Sequence, residues 1–476
     1  MDRSVLGVLG PTLQYHVFHW TDTDYATVNM AFKIAYAIGM LTMGAVIDRF
    51  GARIGYTIAI GIWSVFGMLH AAVRPVFSLV GFSIARFGLG LGESGNFPAA
   101  IKTVGEWFPK KERALATGIF NAGSNVGAIL APIIIPRIVS QDGTHWQYAF
   151  LTTGVFSALW LVLWLKMYKQ PEVHPKLSKA ELAYINSDCL AETATEKLPW
   201  SRVIPVRETW AFAVAKLTDA AWWFYLFWGG KFLFDQFGLS IKNLALPLIV
   251  IYVVADIGSI AGGWLSSHLI KKGWTINRAR KTTMLICALC ILPVMFCTRL
   301  GTRFEVNAKL FDALQKNNTP TETIKSLHTL EDKTYASAKE FLKAVRQAVG
   351  TDETNRLESV LIDNARSDNL YWLAVWLMAI AAGSHQAWSA NIFTLVSDVF
   401  PKKATASVTG IGGMVGAVAG LLADYSLGQV LSSSGPAGYF FAFLIAGSCY
   451  LVILGVVHLL MPRMTPLDQN LRRVEA

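Results

Sequence analysis

The chain has 476 residues, of which 53% are hydrophobic and only 16% charged, with a net charge of +10. A soluble protein of this length would carry roughly a quarter charged residues over the surfaces of several domains, so that class is excluded. Apolar runs recur instead at lengths that cross a bilayer, for which about 20 helical residues suffice. They lie near 1–17, 25–47, 54–73, 77–100, 113–138, 147–168, 209–234, 244–270, 280–298, 370–398, 404–431 and 438–461. Backbone groups in lipid must find partners within their own segment. The twelve runs therefore predict an all-α membrane protein of twelve transmembrane helices, with the lipid bilayer as its surroundings.

The loops between the runs set an orientation. Arg49, Arg53, Lys110, Lys111, Arg113, Lys271, Lys272, Arg278, Arg280, Lys281, Lys402 and Lys403 fall in alternate loops, against only Arg74, Arg137 and Lys242 in the others. Lys and Arg accumulate in cytoplasmic loops, which predicts that this end and the C-terminus are cytoplasmic. The same bias accounts for the net positive charge without invoking nucleic acid.

Taken in chain order, the polar residues inside the apolar runs are the candidate functional groups. Lys33 and Tyr36 stand one turn apart in the second run, with Lys33 too deep to reach the interface and suited to face an anion. In the fourth run, "ARFGLGLGESGNFPA", Arg86 and Glu93 are seven residues apart. Two helical turns place them on one face, about 10 Å apart along the axis, too far for a mutual ion pair and wide enough for a ligand. An uncompensated charge in a bilayer costs at least about 2.5 kcal/mol, so both are expected to face a wet interior; a structural polar network is the alternative. Gly90, Gly92 and Gly95 match a dinucleotide fingerprint, but no strand precedes them, and close helix approach is the better reading.

Ser124 and Asn125 in the fifth run, and Gln386, Ser389 and Asn391 beside Trp388 in the tenth, suit sugar hydroxyls, although such groups also serve as packing contacts. Trp222, Trp223, Tyr225 and Trp228 form an aromatic cluster able to stack on a sugar ring. The five cysteines read as buried inert thiols, Cys287 and Cys290 included.

The chain repeats itself. "FPKKERALATGIFNAGSNVGAILA" from Phe108 aligns without gaps on "FPKKATASVTGIGGMVGAVAGLLA" from Phe400, an offset of 292, with 11 of 24 positions identical. "GAVIDRFG" from Gly44 echoes the segment from Gly263 at an offset of 219. The 73-residue difference matches the polar segment 299–369, which is read as an insertion on the outer side. Phe341, Leu342, Val345 and Val349 within it recur at helical spacing, so it should form a small helical cap. Applied to Glu93, the offset of 292 gives His385, which pseudo-symmetry would set across a central cavity, as a proton-coupling or hydroxyl-binding group or as a packed histidine. Two six-helix halves in parallel repeat describe the major facilitator architecture. The expected organisation is an N-terminal bundle over 1–167, a cytoplasmic linker over 168–208, and a C-terminal bundle over 209–476 carrying the insertion.

"GAVIDRFGARIG", with Gly44, Asp48, Arg49, Gly51 and Arg53, resembles the gating loop between helices 2 and 3 of the major facilitator superfamily. "RFGLGLGESGNFPA", "TWAFAVAKLTDAAWWFYLFW", "KKGWTINRARK" and "HQAWSANIFTLVSDVFP" resemble the anion:cation symporter family, on its hexuronate and sugar-acid branch. The resemblance implies a proton-coupled symporter of a sugar acid, working as a monomer in the bacterial inner membrane without cofactor or metal. It implies that Arg86 holds the substrate carboxylate, that Glu93 takes the coupling proton, that Asp2 and Arg3 form the helix-1 pair, and that Tyr36 lines the cavity. That pair belongs midway along helix 1, so the natural chain is expected to begin some 15–25 residues earlier. In the second copy Ser267 and His268 replace the acid and the base of the gating loop, so an acidic latch is expected only around Asp48.

Other classes are weaker. The chain lacks H-E-x-x-H, G-x-S-x-G and G-x-x-x-x-G-K-[ST], so it has no recognisable hydrolytic or ATP-dependent centre. A carrier of another organic or inorganic anion, and a ligand sensor built on a transporter fold, remain as alternatives. A proton and an anion that bind together move as a neutral pair, which favours the symport reading.

Overall fold

The computed structural model describes residues 2–13, 17–20, 22–139, 144–187, 200–239, 241–300, 303–331, 333–366 and 370–473. The first half consists of α1 (Asp2–Thr12), α2 (Asp22–Leu69), α3 (Ser78–Glu93), α4 (Asn96–Trp107), α5 (Lys110–Ile138) and α6 (Trp146–Met167). Two short helices, α7 (Lys179–Ile185) and α8 (Trp200–Val203), lead to α9 (Arg207–Ala215), α10 (Asp219–Phe237), α11 (Ile241–Lys271) and α12 (Ile276–Ile291). The inserted segment holds β1 (Phe304–Glu305), α13 (Ala308–Lys316), α14 (Thr321–His328), β2 (Thr334–Tyr335), α15 (Ala338–Val349) and α16 (Thr351–Ala365). The chain ends in α17 (Tyr371–Val399), α18 (Thr405–Ser434) and α19 (Tyr439–Leu460).

By length and composition, seven helical runs among the described residues are long and apolar enough to cross a membrane. The first, Asp24–Ala72, spans 49 residues and doubles back. Its turn is Gly51 at φ 82°, ψ 164°, a backbone region that only glycine occupies readily. A Cβ on Gly55 would lie 2.7 Å from Ile47 Cα, the mark of two passes folded against each other. The passes through α5, α10 and α17 carry interior polar groups: Asn121, Asp235 and the run from His385 to Asn391. α1, with 11 residues, covers part of the first expected pass, and with these helices each of the twelve expected runs is represented.

α3 and α4 are one pass interrupted at Ser94–Gly95. The glycine pattern here serves packing: a Cβ on Gly90 would meet Phe32 O at 2.5 Å, and one on Gly92 would meet Trp63 N at 2.5 Å. α3 is thus pressed between both arms of α2.

The helices of the first half pack on one another, as do α9–α12 with α17–α19, and the halves meet along α2–α18 and α5–α11. Both seams are tight at the end bearing the basic loops, here the basic end. A Cβ on Gly44 would lie 2.6 Å from Ala406 O, and one on Gly413 would lie 2.8 Å from Met40 Sδ. Gly118 faces the backbone of Ser259, and Gly263 that of Ala114.

The insertion is a folded cap with an apolar core of its own. Phe304, Leu310, Phe341, Leu342, Val345, Leu357 and Leu361 are buried in it, so the helical spacing of Phe341, Leu342 and Val345 marks a true buried face, with Val349 packed at its edge. Asn307 and Ser337 cap α13 and α15 through their side chains. The cap sits on the end of α10 opposite the basic end. Gln236 donates to Ala336 O at 3.2 Å, Arg366 donates to Phe237 O at 3.3 Å, and Phe234 packs against the cap core.

Candidate functional site

Arg86 lies on α3 with only 3% of its surface exposed. Its guanidinium donates to the backbone carbonyl of Arg3 at 3.4 Å and to Asn29 Oδ1 at 3.3 Å. It also covers the ring of Phe32 at 5.1 Å. None of these partners is charged, and its Nε has no hydrogen-bond partner among the described residues. Glu93, the last residue of α3, pairs not with Arg86 but with Arg3 of α1, at 3.4 Å. Asp2 accepts a hydrogen bond from Ser157 at 2.6 Å, while its second oxygen, buried, has no partner among the described residues. Arg3, Arg86 and Glu93, drawn from two helices, therefore form one cluster, while Asp2, next to Arg3 in α1, faces Ser157 of α6. Asn29, which orients Arg86, was not singled out from sequence; a polar residue four positions before Lys33 is its signal.

Tyr36 stacks on Phe32 at 5.9 Å and is 9% exposed. It packs against Ala417 and Met414 of α18, which places it where the first half meets the second. Lys33 has a protein carboxylate as a partner: Asp424 of α18, at 3.2 Å. Trp228 donates to the other oxygen of Asp424 at 3.0 Å, and Lys33 lies 5.6 Å from the Trp223 ring. Sequence reasoning missed Asp424, although an acid in the eleventh apolar run carries the same signal as Glu93.

The α17 candidates are divided among local partners. His385 is buried, shares a 2.6 Å hydrogen bond with the Tyr450 hydroxyl and stacks on Trp222 at 5.5 Å. Its described partners thus belong to the second half. Gln386 accepts from Asn121 of α5 at 3.0 Å, across the seam. Asn391 donates to Gly262 O at 3.2 Å and to Ala387 O at 2.9 Å. Trp388 is fully buried against Tyr450, with ring centroids 5.3 Å apart, and Ser389 is 4% exposed. The side chains of Ser124 and Asn125 lie outside the described residues.

Two groups of charged contacts span the seams at the basic end. Asp48 takes Lys102 of α4 at 2.7 Å and the backbone N–H groups of Ala406 and Ser407 at 3.2 and 2.5 Å. Arg53 donates to Leu165 O at 3.0 Å, Arg49 lies over Phe50, and Gly51 makes the reversal. The expectation of an acidic latch only here is corrected by Asp398, at the end of α17. Arg280 of α12 reaches it at 3.0 Å and Arg113 of α5 at 3.6 Å. Arg113 also donates to Ser397 O, and Arg280 to Lys110 O at 3.0 Å. The second half supplies its acid from a different helix than the first. Subtracting the repeat offset from 398 gives Glu106, an acid in the matching place, so the repeat held the signal.

One charged pair in the second half also escaped notice. The helix breaks between α9 and α10, where Lys216–Thr218 form a tighter turn. Lys216 pairs there with Asp219 at 2.5 Å and covers the Phe393 ring at 4.3 Å. Two opposite charges three residues apart inside an apolar run were its visible mark.

Residues 1–306 match a family model described as Major Facilitator Superfamily. The chain is 32% identical over 300 residues to a galacturonate transporter of Dickeya chrysanthemi, covering 61% of this chain and 84% of that protein. It is 26% identical over 443 residues to a hexuronate transporter of Escherichia coli, covering 91% and 85%. Its fold superposes on the crystal structure of the E. coli fucose:proton symporter FucP with a TM-score of 0.60 at 13% identity, over 96% of this chain and 95% of that one.

Proposed function

Because the chain belongs to the Major Facilitator Superfamily and is a transporter rather than an enzyme, we propose that it carries a sugar acid, a hexuronate or an aldonate, together with a proton. The observation that supports this reading is Arg86. A buried guanidinium costs several kcal/mol unless it is compensated, and here its described partners are a carbonyl, an amide oxygen and an aromatic face. Such a cation is preorganised for a carboxylate. The relatives named for galacturonate and hexuronate transport point to the same cargo.

Proton coupling follows from the charges. Arg3 and Arg86 carry two positive charges against the one carboxylate of Glu93. A substrate carboxylate that competes for Arg3 takes the counter-charge from Glu93, and an acid that loses its nearby cation binds a proton more readily. Glu93, released from Arg3 as the anion engages the two arginines, is the acid best placed to take it. The orphaned oxygen of Asp2 provides a second acceptor.

The bias of basic loops supports assigning the basic end to the cytoplasm. With the Asp48 and Asp398 latches made, that end is closed, and the arrangement is the one that loads from outside. The linker 168–208 then lies in the cytoplasm and the cap outside.

Proteoliposome uptake tests the reading. Glu93→Gln should retain exchange of labelled for unlabelled substrate, because Arg86 remains, but should lose accumulation driven by a proton gradient. Arg86→Ala should weaken binding by roughly 100-fold, about 2.7 kcal/mol, and abolish both activities. Accumulation by Glu93→Gln equal to that of the unmodified protein would overturn the role of Glu93.

A further inference from the structure

The carboxylate-binding cluster lies on one side of Tyr36. Beyond Tyr36 lies the Lys216–Asp219 pair: Phe97 packs with Tyr36 and stacks on Phe393 at 5.1 Å, and Lys216 covers the same Phe393 ring. One oxygen of Asp219 is taken by Lys216 at 2.5 Å. That side also abuts α18, where a Cβ on Gly416 would lie 2.8 Å from Asp219 Oδ2. The other oxygen, Oδ1, is buried and has no hydrogen-bond partner among the described residues. A buried carboxylate oxygen left without a donor is costly, and it calls for a ligand that brings one. The ammonium of Lys216 is meanwhile occupied, by Asp219 on one side and by the face of Phe393 on the other.

Resting on the reading of the chain as a sugar-acid carrier, we propose that the Lys216–Asp219 pair is the second wall of the substrate site and selects acids with one carboxylate and a hydroxylated tail over acids with a carboxylate at each end. A tail hydroxyl donates to Asp219 Oδ1 and satisfies it. A second carboxylate in that place meets a carboxylate oxygen instead, and like charges brought together in a poorly solvated site repel strongly. Lys216 gives the second carboxylate no relief, because its charge is already spent on Asp219. Galacturonate and galactarate differ in this respect: one end carries a carboxylate in both, and the other end only in galactarate.

The purified protein in detergent, titrated with galacturonate and galactarate in competition with labelled galacturonate, gives the ratio of their affinities. The unmodified protein should prefer galacturonate at least 10-fold. Asp219→Asn removes the repelling charge and leaves Lys216 unpaired, so galactarate should gain and galacturonate weaken until the ratio is one or lower. The double variant Lys216→Met/Asp219→Asn leaves no charge on this wall, and galactarate should lose the gain seen in the single variant while galacturonate stays weak. If Asp219→Asn does not fold, the double variant, which buries no lone charge, carries the test through a fall of the galacturonate preference below 10-fold. Equal binding of the two acids by the unmodified protein, or a ratio unmoved by these substitutions, would overturn the proposal while leaving sugar-acid transport intact. If galacturonate, galactarate and galactonate all fail to bind the unmodified protein, the sugar-acid reading itself is overturned.

Discussion

Asp48 and Asp398 carry similar charges in similar places, yet removing them should have different effects. Asp398 is held by two arginines, of which Arg280 is fully buried and joins α12 to α17 within one half. Asp398→Asn leaves both guanidiniums undercompensated and should cost about 3–5 kcal/mol, read as a fall of several degrees in the melting temperature of the purified protein. Asp48 binds across the seam, to α18. Asp48→Asn strands one buried cation, Lys102, where Asp398→Asn strands two, so it should lower melting less while opening the basic end, raising the labelling rate of an introduced cysteine there by about 10-fold, or about 1.4 kcal/mol. The sequence made Arg86, Glu93 and Asp48 legible because a charge in an apolar run has few explanations. Spacing along one helix did not reveal that Glu93 pairs with Arg3, because that partner comes from another helix. Asn29 and Asp219 were marked by their spacing from Lys33 and Lys216, but spacing did not reveal their roles, which lie in what surrounds them.

The helices show which glycines hold the halves together and which hold a half together. Gly44 meets Ala406 across the seam, whereas Gly258 is pressed against the backbone of Gly383, with both residues in the second half. Gly44→Val should therefore shift the protein toward opening at the basic end, seen as faster labelling there with the fold kept. Gly258→Val should lower the melting temperature instead. The cap is a separate element with a separate core. Phe341 is fully buried in it, and Phe341→Ala should cost it about 3–5 kcal/mol, accelerating proteolysis between 303 and 366. Uptake should stay close to that of the unmodified protein, since the cap rests on one end of α10 and contributes none of the residues of the carboxylate cluster. The boundaries of this element were readable from repeat arithmetic and its helix from periodicity. The break between α9 and α10 was not, because no proline or glycine marks it and Lys216 and Asp219 themselves stabilise the turn.

At the scale of the whole molecule, the two-fold repeat was written in the offset of 292 and reappears in the match of Glu106 with Asp398. The state of the seams was not, since one sequence must serve both the closed and the open arrangement. A cross-link tests that both are needed. A Cβ on Gly105 of α4 would lie 3.4 Å from the Cβ of Ser397 of α17, across the two halves at the basic end, close to the Cβ separation of a disulfide. In a background with the native cysteines replaced, Gly105→Cys/Ser397→Cys should stop uptake on oxidation and recover it on reduction; uptake by the oxidised form would show that this seam need not part. The Asp48 latch carries a further consequence. Its carboxylate accepts from Ala406 and Ser407, in the first turn of α18, where helix N–H groups have no acceptor in their own helix. One half of the molecule thus lends the other its N-terminal cap, and each opening takes that cap away and hands the two amides to water. Hydrogen–deuterium exchange at Ala406 and Ser407 should therefore keep time with the transport cycle, slow while the seam is shut and fast while cargo is turning over, so that the unmodified protein carries its own clock.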